Sequence, residues 1–297
     1  MTRNGLRPTR RAIGTVMAGL LLAWSAAACA SSGTAPGAGS ADKGPKSIDT
    51  YRKEGIKVAV ADAPPYSQIL ADGKVTGASP EILRAVLKRL GIEIKDGVVT
   101  TYDAMIPGLA AQRWDVVAAG MVIKESRCKQ VLFSEPDIVS TMAFGVPAGN
   151  PRNIKSIADG VANKDLKIAV LPGTFEEGVL KKAGVTAGQL VTVNDPRSGL
   201  EAVKAKRADA YFYTTLSLRQ LVKDDKSFDV TEPPKDSPVT GAGVAFRTTD
   251  TELLKAYNEE LNKFKATTEY VELMKKFGFD PEAVKGVTTA EMCKTAG

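Results

Sequence analysis

Histidine is absent from all 297 residues. Ser-His-Asp and Cys-His triads, His-ligated metals and imidazole proton transfer are therefore excluded, and most hydrolase readings go with them. Aromatic residues make up only 6% of the chain, and no basic patch is interleaved with them, so no nucleic-acid partner is expected. Beyond residue 28 no apolar run approaches the ~20 residues that a bilayer span requires. What remains is ordinary globular composition, 43% hydrophobic and 25% charged, with length enough for two modest domains. Disordered and collagen-like classes drop out.

The N-terminus reads as an export leader over 1–28. Arg3, Arg7, Arg10 and Arg11 precede a mostly apolar run from Ala12 to Ala28, and Ala26-Ala27-Ala28-Cys29 closes it. Only 17 residues separate Arg11 from Cys29, so cleavage is expected rather than a membrane span. Small residues directly before a cysteine resemble the lipobox of bacterial lipoproteins, in which the cysteine is acylated and becomes the first mature residue. Ala26 stands where leucine is usual. An ordinary signal peptide with an incidental Cys29 is the alternative, and Arg10-Arg11 leaves twin-arginine export open. The leader carries four of the 40 basic residues and none of the 34 acidic ones, leaving 36 against 34, or +2. Residues 29–46, rich in Gly, Ser, Ala and Pro, read as a flexible tether that would hold a folded body near a membrane.

The body begins near Tyr51. "GIKVAVADAPPY" is a buried-type strand running into a Pro-Pro turn, and "SPEILRAVLKRLG" is a helix with Ser79 expected at the N-cap, Pro80 at the first helical position and Gly91 as the stop. Its residues Ile82, Leu83, Val86, Leu87 and Leu90 share one face. A strand "DGVVTTY", a helix "DAMIPGLAAQ" and a strand "RWDVVAAGM" follow. The order recurs with "LKIAVLPG", "TFEEGVLKKAG", "QLVTVND", "PRSGLEAVKAKR" and "ADAYFYT", so two α/β units with parallel sheets are expected. A local phrase is shared: Leu109, Arg113 and Asp115 match the spacing of Val203, Arg207 and Asp209, each at a helix-to-strand joint.

In order, "KVAV", "PPY", "SPEIL", "GLAAQRWDVVAAGM", "SRCKQVLFSEP", "AVLPGT", "AVKAKRADAY" and "GVAFR" resemble the extracellular solute-binding proteins of polar-amino-acid ABC importers, from Tyr51 to the C-terminus. The resemblance implies an α/β fold of two lobes, the periplasmic-binding-protein fold of type II, with two hinge strands and a ligand cleft between the lobes. It places the first lobe at 47–143 and 242–297, the second at 144–241, and the hinges near "TMAFGVP" and "VTGAGVAF". It also implies a small-molecule ligand, docking on an ABC permease, a monomer, a place on the outer face of the cell membrane, and no cofactor or metal.

By the same resemblance Arg127 grips a ligand carboxylate through two charge-assisted contacts. A surface arginine paired with Glu125 or Glu135 is the alternative. Tyr66 and Tyr102 match positions where aromatic rings sandwich the ligand, though either could be a core tyrosine. Thr174 can cap the helix of "PGTFEEG", with Glu177 completing a capping box, and the free amides of that helix start form an anion site. Within the family the chain resembles binding proteins for ectoine and hydroxyectoine, through "RCKQV", "FSEP", "RADAY" with Thr214, and "VTTAEMC". Where amino-acid binders carry an aspartate for the α-ammonium group this chain has Thr214, which cannot neutralise a charge. Two expected pieces are replaced: Ala63 stands at an acidic position of ectoine binders and Val122 at an aromatic one. Lys124 either adds a cation to the cleft, favouring a polar or acidic amino acid, or points to solvent. An enzyme of the same fold would need a committed acid or base, for which only Asp62, Asp195 and Glu176 offer themselves, and no enzyme is expected. Cys128 and Cys293 are left after lipidation of Cys29 as one pair for a disulfide in an oxidising compartment, with two buried thiols as the alternative.

Overall fold

β-Branched residues in runs too short for helices build two sheets of one design. In the computed structural model, which describes residues 44–294, strand Ile56–Val60 lies between Ile94–Val99 and Val116–Val117, all parallel. Ala245–Phe246 and then Leu132–Phe133 extend this sheet in the antiparallel sense. The second sheet repeats the plan: Ile168–Val170 lies between Leu190–Thr192 and Ala210–Thr214, and Met142–Pro147 and Phe228–Val230 extend it antiparallel. Both are open sheets faced by helices, the arrangement that parallel strands need to bury both faces. The leader, Cys29 and the tether up to residue 43 lie outside the described residues.

The phrase shared by the two halves has one structural meaning. Asp115 Oδ2 accepts the main-chain N–H of Lys57 at 3.0 Å while its own N–H donates to the Lys57 carbonyl. Asp209 does the same to Lys167, at 2.8 Å through its side chain. In each half the helix ends with Arg113 or Arg207 donating its N–H to a carbonyl five residues back. Each aspartate thus closes both orphan groups at the entry of the neighbouring parallel strand.

Helix Ala78–Arg89 buries Ile82, Leu83, Val86 and Leu87 against Leu253, Tyr257, Leu261 and Phe264 of helix Thr251–Lys265. It starts two residues earlier than expected: Gly77 is the N-cap, and Ser79 and Pro80 are its second and third residues. The cause is a close approach. A Cβ on Gly77, at φ +110°, would sit 2.6 Å from Ser67 Cα, so the Pro-Pro-Tyr loop packs directly on the helix start. Tyr102, expected at a strand end, opens helix Tyr102–Ala110 instead, with Thr101 as its N-cap residue.

The sheets are joined by an antiparallel ribbon of Ile138–Ser140 and Thr240–Ala242, with the Ser140 and Thr240 hydroxyls 3.0 Å apart. Met142–Pro147, where one hinge was expected, is a full strand of the second sheet. The expected lobe boundary at 143 falls inside it. Cys128 and Cys293 form a disulfide across 165 residues of sequence, which in the chain-entropy model contributes up to ~5 kcal/mol.

Asp137, at the foot of the ribbon, is fully buried and neither carboxylate oxygen has a hydrogen-bond partner. Burial pushes its pKa up to about 7, against some lowering by Lys265. A carboxyl raised above its unfolded value keeps its proton in the fold while the unfolded chain releases it, so its contribution is lost as pH rises from about 4 to about 7. Asp137→Asn should therefore gain stability relative to the parent over that window, by on the order of 4 kcal/mol between pH 4 and pH 8. Urea unfolding at both pH values measures the difference; a gap that does not widen with pH refutes the account.

Candidate functional site

In open α/β sheets the carboxyl ends of parallel strands are where loops converge and ligands bind. Here both sheets turn those ends toward each other. The first contributes Tyr66, Tyr102 and the 118–128 segment; the second contributes 171–176, Asp195 and Thr214. The lobes are in direct contact. Arg127 donates to the Gly173 carbonyl at 2.8 Å, Ser217 Oγ donates to the Pro64 carbonyl at 2.8 Å, and a Cβ on Gly173 would meet Asp103 Cα at 2.9 Å. A cavity of about 380 Å³ opens beside Tyr102, walled by Asp62, Asp103, Pro172 and Asp195.

Arg127 lies on the single turn Glu125–Cys128 and is buried, its other hydrogen bond going to the Val122 carbonyl at 2.7 Å. Burial lowers its pKa to about 10, so it stays charged at neutral pH. The alternative of a surface pair is ruled out by its neighbours: Glu125 pairs with Lys129 at 2.7 Å, and Glu135 accepts the Thr289 N–H at 3.1 Å. Two of the five guanidinium N–H groups are committed to these carbonyls, leaving capacity for a ligand oxygen.

Lys124 faces the cleft. Its ammonium lies 5.8 Å from the centre of the Phe175 ring, and burial, then Arg127, lowers its pKa while Glu176 and Glu177 oppose the shift. Glu176, considered from sequence only as an enzyme's acid, is a buried carboxyl on the second lobe, close to Arg127 and Lys124. Burial raises its pKa, against lowering by its own backbone N–H, Arg127, the Thr174 hydroxyl and Lys124. Asp195 is not comparable. It caps helix Pro196–Lys204 through Ser198 N at 2.8 Å, and Asp62 is exposed.

Thr174 is the N-cap of helix Phe175–Ala183. Its hydroxyl accepts from Glu177 N and donates to the Leu171 carbonyl, so capping consumes it and the main chain is what it can offer. Glu177 closes the cap one residue early, accepting from Gly173 N at 3.0 Å rather than from Thr174. The expected reciprocal box is shifted because Gly173, at φ +72°, turns its N–H toward the helix.

Tyrosines wall the cleft. Tyr66 is buried edge-on to Phe279 at 4.9 Å, and its hydroxyl faces Ser140 and Thr214 without meeting either in hydrogen-bonding geometry. Tyr102 donates to the Ala119 carbonyl at 3.2 Å, and burial pushes its pKa up to about 12. Tyr211 and Tyr213, which sequence reasoning missed, stack 5.2 Å apart on one face of strand Ala210–Thr214. The two-residue alternation in "AYFYT" was the available signal. Tyr66 Oη, Tyr211 Oη and Thr214 Oγ1 are all buried without partners, an unusual concentration of unmet polar groups. Ala63 and Val122 are buried and apolar, so neither replaces the group expected there; Val122 serves through its carbonyl.

The arrangement is a two-lobe clamp with cations on one lobe, an acid on the other and aromatic walls. The model of the bacterial extracellular solute-binding proteins, family 3, matches residues 56–280, and the chain belongs to that family. A probable amino-acid ABC transporter periplasmic-binding protein of Sinorhizobium fredii is 32% identical over 80% of this chain and 82% of its own. The L-cystine-binding protein TcyJ of Escherichia coli is 32% identical over 67% and 72%. Among solved structures, EhuB in complex with hydroxyectoine superposes with a TM-score of 0.80 at 35% identity, covering 84% of this chain and 98% of that one. The protein is thus a solute-binding protein of an amino-acid-type ABC importer, which binds a small molecule and a membrane permease, and is not an enzyme. Its relatives are periplasmic or extracellular. No helix among the described residues is long and apolar enough to cross a membrane.

Gly173 sets how closely the lobes approach. Gly173→Ala would strain a positive φ and press on the Asp103 backbone, so it should favour the open form and raise the ligand Kd about tenfold. Small-angle scattering with saturating ligand and calorimetry check both; an unchanged Kd refutes it.

Proposed function

We propose that the cleft captures a small zwitterion with one carboxylate and a delocalised cation, of the ectoine or hydroxyectoine kind. The observation that carries this reading is the buried Glu176 on the second lobe opposite Arg127 on the first. Arg127 would take the carboxylate, Glu176 the cationic ring edge, and Tyr66 and Tyr102 the ring faces. Thr214 and the main chain at Thr174 would supply neutral hydrogen bonds. The EhuB complex with hydroxyectoine supports the ligand class. A zwitterion that touches both lobes favours closure, because only the closed state meets both charges at once.

A second reading rests on Lys124. Its place beside Arg127 gives the first lobe two cations, which suits a polar or acidic amino acid. Thermal shift against ectoine, hydroxyectoine, cystine, arginine and glutamate separates the readings, since a ligand at 100 times its Kd adds ~2.7 kcal/mol. Arg127→Ala should weaken the native ligand on the order of 100-fold or more with the fold intact. Lys124→Ala should leave ectoine binding unchanged or improved and sharply weaken an acidic ligand. Calorimetry in which Arg127→Ala binds as tightly as the parent would sink the site assignment.

The export leader, lipidation at Cys29, anchoring to the outer face of the cell membrane through the 29–46 tether, and a monomeric state belong to the same proposal. Intact mass of membrane-extracted protein should begin at Cys29 and carry the acyl mass; an unmodified N-terminus beyond it refutes the anchor.

A further inference from the structure

The turn that carries Arg127 cannot hold itself in place. Glu125–Cys128 is one helical turn, and nucleating a turn costs more than its few hydrogen bonds return. It is flanked by two-residue strands, Val116–Val117 and Leu132–Phe133, so its position comes from tertiary contacts. One of these, the Gly173 carbonyl, belongs to the second lobe and is available only when the lobes meet. In an open cleft the remaining anchors are the Val122 carbonyl, the buried flanking residues Ile123 and Val131, and whatever grips the turn from outside.

The outside grip is the C-terminal segment 287–293. Thr289 donates its N–H to the Glu135 carboxylate at 3.1 Å and its hydroxyl to the Ser134 carbonyl at 2.6 Å. Val287 and Met292 lie over the ribbon strand, so near that a Cβ on Gly241 would stand 3.3 Å from Val287 Cγ1 and 3.2 Å from Met292 Cγ. The carbonyl of that same Gly241 accepts the Ile123 N–H at 2.9 Å, one residue before Lys124. Cys293 ends the segment and is bonded to Cys128, the residue after Arg127. The segment therefore spans the ribbon strand and the binding turn, and its covalent end is at the turn.

We propose that the Cys128–Cys293 bond is a positioning device for Arg127, holding the binding turn in its ligand-ready place while the lobes are apart. The proposal rests on the reading of Arg127 as the carboxylate-binding residue. A guanidinium held ready costs less ordering at capture, and affinity falls when that order must be supplied on binding. Reduction breaks the S–S bond with two electrons and two protons from a dithiol, leaving Cys128 and Cys293 as thiols and the reagent as its cyclic disulfide. The consequence is loss of grip at the turn, without unfolding of the lobe.

Hydrogen exchange of the ligand-free mature protein tests the positioning role directly. At a temperature well below both melting points, the amides of 124–131 in C128S/C293S, or in dithiol-reduced parent, should exchange about tenfold faster, while strand Ile56–Val60 is unchanged. Unchanged exchange at the turn, or equal acceleration across the first sheet, overturns the proposal. Calorimetry with hydroxyectoine, or with the best ligand of the thermal-shift screen, supplies the second arm. C128S/C293S should raise Kd about tenfold in fully folded protein, and in an Arg127→Lys background the same change should have little further effect. Arg127→Lys binding as tightly as the parent overturns the site reading itself. Loss of affinity in Arg127→Lys with full affinity in C128S/C293S overturns this inference alone.

Discussion

One buried guanidinium bridges the two sides of the cleft. Arg127 donates to a carbonyl on each side of the cleft, Val122 on its own lobe and Gly173 on the other, and burial lowers its pKa without discharging it. A buried cation demands compensation. The rest of the cleft follows from that demand: Glu176 faces it from the second lobe, Lys124 is kept partly desolvated beside it, and hydroxyls without partners surround the remaining space. The two carbonyls take only part of the guanidinium's donor capacity and do not neutralise it. On the proposed function, a ligand carboxylate would complete the charge balance.

The scaffold that presents this cation is built twice. In both sheets an aspartate after a helix closes the entry of the central parallel strand, Asp115 onto Lys57 and Asp209 onto Lys167. Both central strands therefore run the same way relative to their neighbours and deliver their loops to one edge. Facing those edges across the ribbon of Ile138–Ser140 and Thr240–Ala242 makes a cleft with residues from two lobes, which is the physical basis of closure on a ligand. Family membership and the likeness to EhuB agree with this construction.

Much of this was legible in the residues and their spacing. Period and punctuation announced the alternating strands and helices, the missing histidine removed whole classes of chemistry, and the order of short phrases pointed to a two-lobe binder with Arg127 in its cleft. Where local reading erred, a close approach between distant segments decided. Gly77 rather than Ser79 caps its helix because the loop at Tyr66 and Ser67 presses on it, and Glu177 closes its cap at Gly173 because that glycine turns its N–H inward. Neither contact has a signature in neighbouring residues.

The sequence by itself determined the element order, the two-fold repetition, the cysteine pair and the residue types available for binding, because these depend on periodicity, spacing and chemical kind. Only the tertiary structure decided which charges meet. Lys124 could face cleft or solvent until Phe175 and Glu176 of the other lobe were placed beside it, and Glu176 was one of three candidate acids, with Asp62 and Asp195, until burial near Arg127 set it apart. The physical reason is that charge pairing and desolvation are properties of separations in space, between residues about 50 positions apart in the chain and on different sheets.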